Sequence, residues 1–177
     1  MGRRRRYRAK KKVYCFIVEG CTEENYIRLL RLLYRKGGKS KNCHGGSARG
    51  VLQSAEKLVA KHGDDYAGYV VWFDNDRYCP AEDEPLKTSL EASKDVQVEV
   101  YISEPCVENW LLAHFQKTKP QHESCNACEQ ELKKYIPRYK KNDCQLLQKY
   151  LDQETIQVAI ANYPEIGEIP KKYFIES

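Results

Sequence analysis

No stretch of this sequence stays apolar long enough to span a bilayer, and the run after the N-terminal arm, Val13 to Val18, is too short for the core of a secretion signal. The expectation is a cytoplasmic chain with no membrane contact. Internal repeats are missing, as is any low-complexity tract beyond the arm, which sets aside solenoid and linker architectures. Acid is missing from the first twelve residues, which hold five Arg and three Lys. The other 165 residues carry 22 basic against 25 acidic groups, so the net charge of +5 belongs to the arm. An arm of this kind, with Arg5 and Arg6 at its centre, suits the phosphates of DNA or RNA, in salt-dependent binding that is indifferent to base sequence; a solvated tail has the same composition. A second Cys-x-x-Cys is missing too. Cys125-x-x-Cys128 has zinc-ligand spacing, and His122, Cys144 or Cys106 could complete it, yet one pair alone is weak ground for a structural Zn2+. The eight cysteines are read as reduced thiols, several of them small core residues.

What is present is a βα pattern. Val13 to Val18 is a compact β-prone run that stops at Glu19-Gly20. From Thr22 to Lys36, Tyr26, Leu29, Leu30 and Leu33 recur at helical spacing, with Thr22 as N-cap, Glu23 and Glu24 in the first turn and Gly37-Gly38 as the stop. A short edge strand is expected around Asn42 to His44 and a second amphipathic helix over Val51 to His62. Val70-Val71-Trp72-Phe73 then runs without interruption into Asp74-Asn75-Asp76, the ending of a buried strand. Tyr78 to Ser93 reads as a loop with a turn or two of helix, Val96 to Ile102 as a half-buried strand, and Pro105 as the first position of a helix carrying Val107, Trp110, Leu111 and His114 on one face. Beyond Lys117 the chain is polar and helical as far as Ala161, with a tail made irregular by Pro164 and Pro170. The reading is therefore α/β: a basic arm over 1–12, a core over 13–117 with a mostly parallel sheet flanked by helices, and a small helical extension with its tail over 118–177.

In such sheets ligands gather at the carboxyl ends of the strands, which is where Glu19, Asp74 and Asp76 fall. Residues two apart on an extended chain point the same way, so Asp74 and Asp76 could offer several hard oxygens to one Mg2+ or Mn2+. An Asp/Asn-rich turn would look the same in isolation, and the second acidic strand end at Glu19 tips the reading towards a metal site. Lys140 and Lys141, beside Tyr139, form a basic and aromatic cluster that could hold a phosphate.

Glu19-Gly20 after one strand and Asp74-Asn75-Asp76 after another resemble the TOPRIM domain of topoisomerases, bacterial primases and several nucleases. The strings Val18-Glu19-Gly20-Cys21-Thr22-Glu23-Glu24-Asn25-Tyr26 and Pro105-Cys106-Val107-Glu108-Asn109-Trp110-Leu111-Leu112-Ala113-His114-Phe115 are similar more narrowly to RloB-like proteins of the AbiLii type. That resemblance implies a Rossmann-like TOPRIM fold and a Mg2+-dependent nuclease of bacterial antiviral defence, often encoded beside an AAA-type ATPase. It implies Mg2+ at Asp74 and Asp76, and Glu19 as metal ligand or general acid/base. Glu108 joins them as a catalytic candidate, and His114, Lys140 and Lys141 as substrate-binding candidates. Two other readings fit the same residues: a nucleic-acid or nucleotide-binding module without turnover, and a subunit inert until the ATPase docks.

Overall fold

The computed structural model describes residues 12–141 and 143–176. Arg5 and Arg6 lie outside them. Four parallel strands form one sheet in the order β2-β1-β3-β4: β1 (Cys15–Val18), β2 (Lys39–Asn42), β3 (Tyr69–Asp74) and β4 (Val98–Ser103). Helices connect them: α1 (Cys21–Tyr34) from β1 to β2, α2 (Ala48–His62) from β2 to β3, and α3 (Pro80–Glu91) from β3 to β4. The result is an α/β protein with a Rossmann-like, wholly parallel sheet. Every residue of β1 and β3 is buried, as central strands covered on both faces must be. Their alternate side chains divide between two cores. Phe16, Val18, Val70 and Trp72 face α1 and the C-terminal helices, whereas Cys15, Ile17, Val71 and Phe73 face the Val51, Leu52 and Ala55 side of α2.

After β4 come α4 (Val107–Leu112), α5 (Cys125–Tyr135), α6 (Cys144–Tyr150), α7 (Gln153–Asn162) and α8 (Pro164–Pro170), then a π-helical turn over Lys171–Ile175. Cys128, Leu132, Leu147, Ile156, Ile166 and Phe174 belong to the same hydrophobic cluster as Phe16 and Trp72. The C-terminal helices therefore cover one face of the sheet.

Several local expectations change: Thr22 lies inside α1, whose N-cap is Gly20, and Pro105 precedes α4, which has Cys106 as its N-cap and begins at Val107. The edge strand begins earlier, at Lys39. Its Ser40 and Asn42 side chains donate to the Glu24 carboxylate, at 3.1 and 3.0 Å, so a glutamate read as dipole support also ties β2 to α1. The stretch expected to be mostly loop is the twelve-residue α3, because Pro80 occupies the first helical position and Asp83 accepts the Cys79 N–H at 2.9 Å. The tail is helical as well, since Pro164 starts α8 and Pro170 only closes it.

Helices α7 and α8 meet at Gly167, where an added Cβ would lie 2.9 Å from the Ile160 Cα and 3.2 Å from its carbonyl oxygen. Alanine ordinarily favours a helix over glycine by up to about 1 kcal/mol. Here backbone, which cannot yield as a side-chain tip would, occupies the space. Gly167→Ala is expected to lower stability by roughly 1–3 kcal/mol in denaturant unfolding; an unchanged or raised midpoint would mean that the two helices are not in this contact.

Candidate metal centre

At the carboxyl edge of the sheet the two central strands end side by side. The Glu19 N–H still bonds to Trp72 O at 3.1 Å, and in return Glu19 Oε2 accepts the Asp74 N–H at 3.0 Å, so the carboxylate after β1 caps the end of β3. The chain then turns through Gly20 into α1, whose first turn carries Glu23. Oxygens of Glu19, Glu23 and Asp74 all lie within 4.8 Å of one another. Asp74 Oδ1 accepts the Val107 N–H of α4 at 2.8 Å, which brings in the next residue along, Glu108. Asp74, Glu108 and Cys106 form a second group of ligand atoms within 4.8 Å. Asp74 belongs to both.

The cluster is dry. Asp74 is 9% exposed, Glu23 3% and Glu108 0%. Burial, with the charges of Glu23, Glu19 and Glu108 added to it, pushes the Asp74 carboxyl up to about 9. Glu23 rises to about 7 for the same reasons. Glu19 is raised by burial and by Asp76, partly offset by the Asp74 N–H. Cations on the other side are few. Lys141 Nζ lies 3.1 Å from Glu108 Oε1, and the Tyr139 hydroxyl donates to the same oxygen at 3.0 Å. For Lys141 the cost of burial is outweighed by the charge of Glu108, and its ammonium is held above its ordinary pKa. Thr22 fixes this arm from below, its hydroxyl donating to Lys141 O at 3.2 Å. Glu108 Oε2, by contrast, is buried with no hydrogen-bond partner among the described residues. A buried carboxylate oxygen left open beside Asp74, which itself groups with Glu19 and Glu23, is what a divalent cation with oxygen ligands would satisfy, and the donor set is hard enough for Mg2+. The residues fit the ion.

Of the residues expected from the sequence, Glu19, Asp74, Glu108 and Lys141 come together. Asp76 does not enter the buried group, because β3 ends at Asp74 and Asn75–Arg77 is a 3-10 turn, which breaks the alternation that would have aligned the two aspartates. It is exposed on the rim and lines a cleft of about 880 Å3 with Asn75, Glu104, Asn109, Lys119 and Cys125. Lys140 is exposed and lines a separate cleft of about 460 Å3 with Arg138, Lys149 and Tyr150. His114 is not a surface group at all. It is 2% exposed, Nδ1 lies 3.1 Å from the Trp110 and Leu111 carbonyls, and Nε2 is 3.0 Å from the Tyr26 hydroxyl. Only a protonated Nδ1 can serve two carbonyls, so Nε2 accepts from Tyr26 and the ring is neutral. Burial lowers its pKa to about 4, and it packs as a core histidine. In the sequence Thr22 and Glu23 read only as helix-start residues, and Tyr139 only as the aromatic neighbour of Lys140 and Lys141. The signal for Glu23 was its place one helical turn beyond Glu19, hidden by the role it also plays at a helix N-terminus.

The RloB-like protein family matches residues 14–171 of the chain. No curated protein and no solved structure matches it.

A carboxyl whose pKa is higher folded than unfolded favours folding least when ionised. Asp74, at about 9 against an ordinary 3.8, and Glu23, at about 7 against 4.5, therefore cost stability progressively as pH rises from about 4 towards 9. In chelator, Asp74→Asn, which keeps the oxygen that accepts from Val107, should stabilise the protein at pH 8 by on the order of 2 kcal/mol. The gain should vanish near pH 3. Equal unfolding midpoints for the two proteins at pH 8 would remove Asp74 from the crowded, desolvated setting described above.

Proposed function

The chain belongs to the RloB-like protein family, and from that premise we propose that it is a Mg2+-dependent nuclease of the TOPRIM type, acting on DNA or RNA in bacterial antiviral defence and abortive infection. One observation carries the reading: four carboxylates from three separate parts of the chain converge at the carboxyl edge of a parallel sheet, with one buried oxygen of Glu108 left open. Carboxylates buried and crowded enough to hold protons near neutral pH are the kind of group found at binding and catalytic sites.

Glu19, Glu23, Asp74 and Glu108 would hold the ion, with Asp76 on the open side of the site. Bound there, Mg2+ would neutralise charge on a phosphodiester and lower the pKa of a water. The protein's own groups do the rest. Glu19 spends one oxygen on the Asp74 N–H and keeps the other for a ligand or a proton. Lys141, half-exposed and charged, has donors left over after Glu108 and faces outwards to a phosphate. Lys140 and the arm residues Arg5 and Arg6 extend positive charge for the nucleic-acid backbone. The family resemblance also supports an AAA-type ATPase as partner. No helix among the described residues is long and apolar enough to cross a membrane.

With Mg2+ or Mn2+ the protein should cut single- or double-stranded DNA or RNA, and Asp74→Ala should slow cutting by on the order of a hundredfold or more. Lys141→Ala should slow it comparably. Because protons compete for Asp74 and Glu23, Mg2+ affinity measured by calorimetry should tighten between pH 6 and 9. Metal-dependent binding of nucleic acid with no cleavage, in the presence or absence of the ATPase, would replace the nuclease with a binding module.

A further inference from the structure

The loop that brings Tyr139 and Lys141 to Glu108 also has an outer side. Tyr139 is buried and roots the segment, its hydroxyl donating to Glu108 Oε1 at 3.0 Å. The residues on either side of it, Arg138 and Lys140, are exposed and line the cleft of about 460 Å3, together with Lys149 and Tyr150 of α6. Arg138 is held at φ 66°, in the left-handed region that residues other than glycine seldom take.

The cations of this cleft are unspent. Lys133, Lys134 and Lys141, close by in sequence, each pair with a glutamate, at 2.7, 2.6 and 3.1 Å. Among the described residues no carboxylate oxygen lies within 4.0 Å of a charged nitrogen of Arg138, Lys140 or Lys149. Asp143 is the acid in the cleft, and its Oδ1 is engaged by the Gln145 and Leu146 N–H groups at the start of α6, at 3.0 and 3.3 Å. Three like charges around one concavity repel one another until an anion enters. Tyr150 adds a flat surface. It packs against the main hydrophobic cluster and stays partly exposed, with the Lys149 ammonium 5.3 Å from its ring centroid.

A row of cations beside an anchored ring is the combination that single-stranded nucleic acid uses, phosphates on the charges and a base on the ring. A duplex offers its phosphates equally well, but its bases are already stacked on one another. We propose that this cleft is a second nucleic-acid contact, in which Arg138, Lys140 and Lys149 take backbone phosphates and Tyr150 takes an unpaired base of a single-stranded polynucleotide. Lys140 and Lys141 are consecutive, with Cα atoms about 3.8 Å apart, so a strand seated in the cleft is led by lysines to the carboxylates. The anion site stands on the cleft alone. That its occupant is a polynucleotide and not a free nucleotide rests on the nuclease reading given above.

The test is fluorescence anisotropy of the full-length chain with a dye-labelled single strand and with the matching duplex, in chelator, where metal-dependent cutting is off. The single strand should bind roughly tenfold more tightly. Arg138→Ala and Lys149→Ala, both at exposed positions, should each weaken binding of both forms and lower the slope of log affinity against log salt by about one. Lys61→Ala removes an exposed charge from α2, on the opposite face of the sheet, and should change neither. Tyr150→Leu keeps apolar volume against the core without a flat ring and should erase the single-strand preference, which Tyr150→Phe should keep. A salt slope unmoved by Arg138→Ala and Lys149→Ala, or moved as far by Lys61→Ala, overturns the cleft as a site. Equal affinity of the wild type for strand and duplex, or a preference that survives Tyr150→Leu, overturns the stacking role. Displacement of the strand by an equimolar amount of AMP overturns the polynucleotide as occupant in favour of a free nucleotide. Cutting plays no part in this measurement, so the expected binding pattern in a protein that never cuts with Mg2+ overturns only the nuclease reading.

Discussion

Mutual repulsion among buried carboxylates is the constraint on which the rest of this structure turns. Glu19, Glu23, Asp74 and Glu108 are held close together where water is largely excluded, and among the described residues Lys141 is the cation paired with them. At such separations a like charge in a low-dielectric setting is among the more costly arrangements a protein can keep. Without a cation the cluster answers by holding protons, at Asp74 most firmly and at Glu23 next. Folding energy has been given up at this edge of the sheet, which is the usual mark of a site kept for binding.

The backbone makes the arrangement possible. A parallel sheet brings the carboxyl ends of neighbouring strands to one edge, and the peptide groups there do the positioning. The Asp74 N–H fixes Glu19, and the Val107 N–H fixes Asp74. Two of the carboxylates are therefore oriented by main-chain donors, one at the end of β3 and one at the start of α4, and not by side-chain rotamers alone. Glu23 and Glu108 instead sit in the first turns of α1 and α4, where the helix dipole partly offsets the cost of their charge. The same helix-start positions explain why both residues look unremarkable in the sequence.

Much of the fold is legible because its signals are long and regular. The apolar runs of β1 and β3, the period of α1 and α2 and the carboxyl-edge rule together place Glu19 beside Asp74 before any coordinates are known. Legibility fails where a short-range rule depends on where an element stops. Asp74 and Asp76 would align only if β3 continued for two more residues, and the 3-10 turn at Asn75 ends that alternation. His114 shares a face with Trp110, and a periodic face says nothing of whether it turns to solvent or to core; the Tyr26 hydroxyl and two carbonyls decide it. Proline misleads in the opposite direction, since Pro80 and Pro164 start helices in stretches that read as irregular.

The division of the chain into a core and a helical extension also takes on a different meaning once side chains are placed. Tyr139 and Lys141, which hold Oε1 of Glu108, come from beyond residue 117. Removing that region would take from Glu108 both the Lys141 ammonium and the Tyr139 hydroxyl that hold its Oε1. A carboxylate so stripped would take up a proton or leave the interior. The extension is thus part of the site's electrostatics as well as a cover for the sheet.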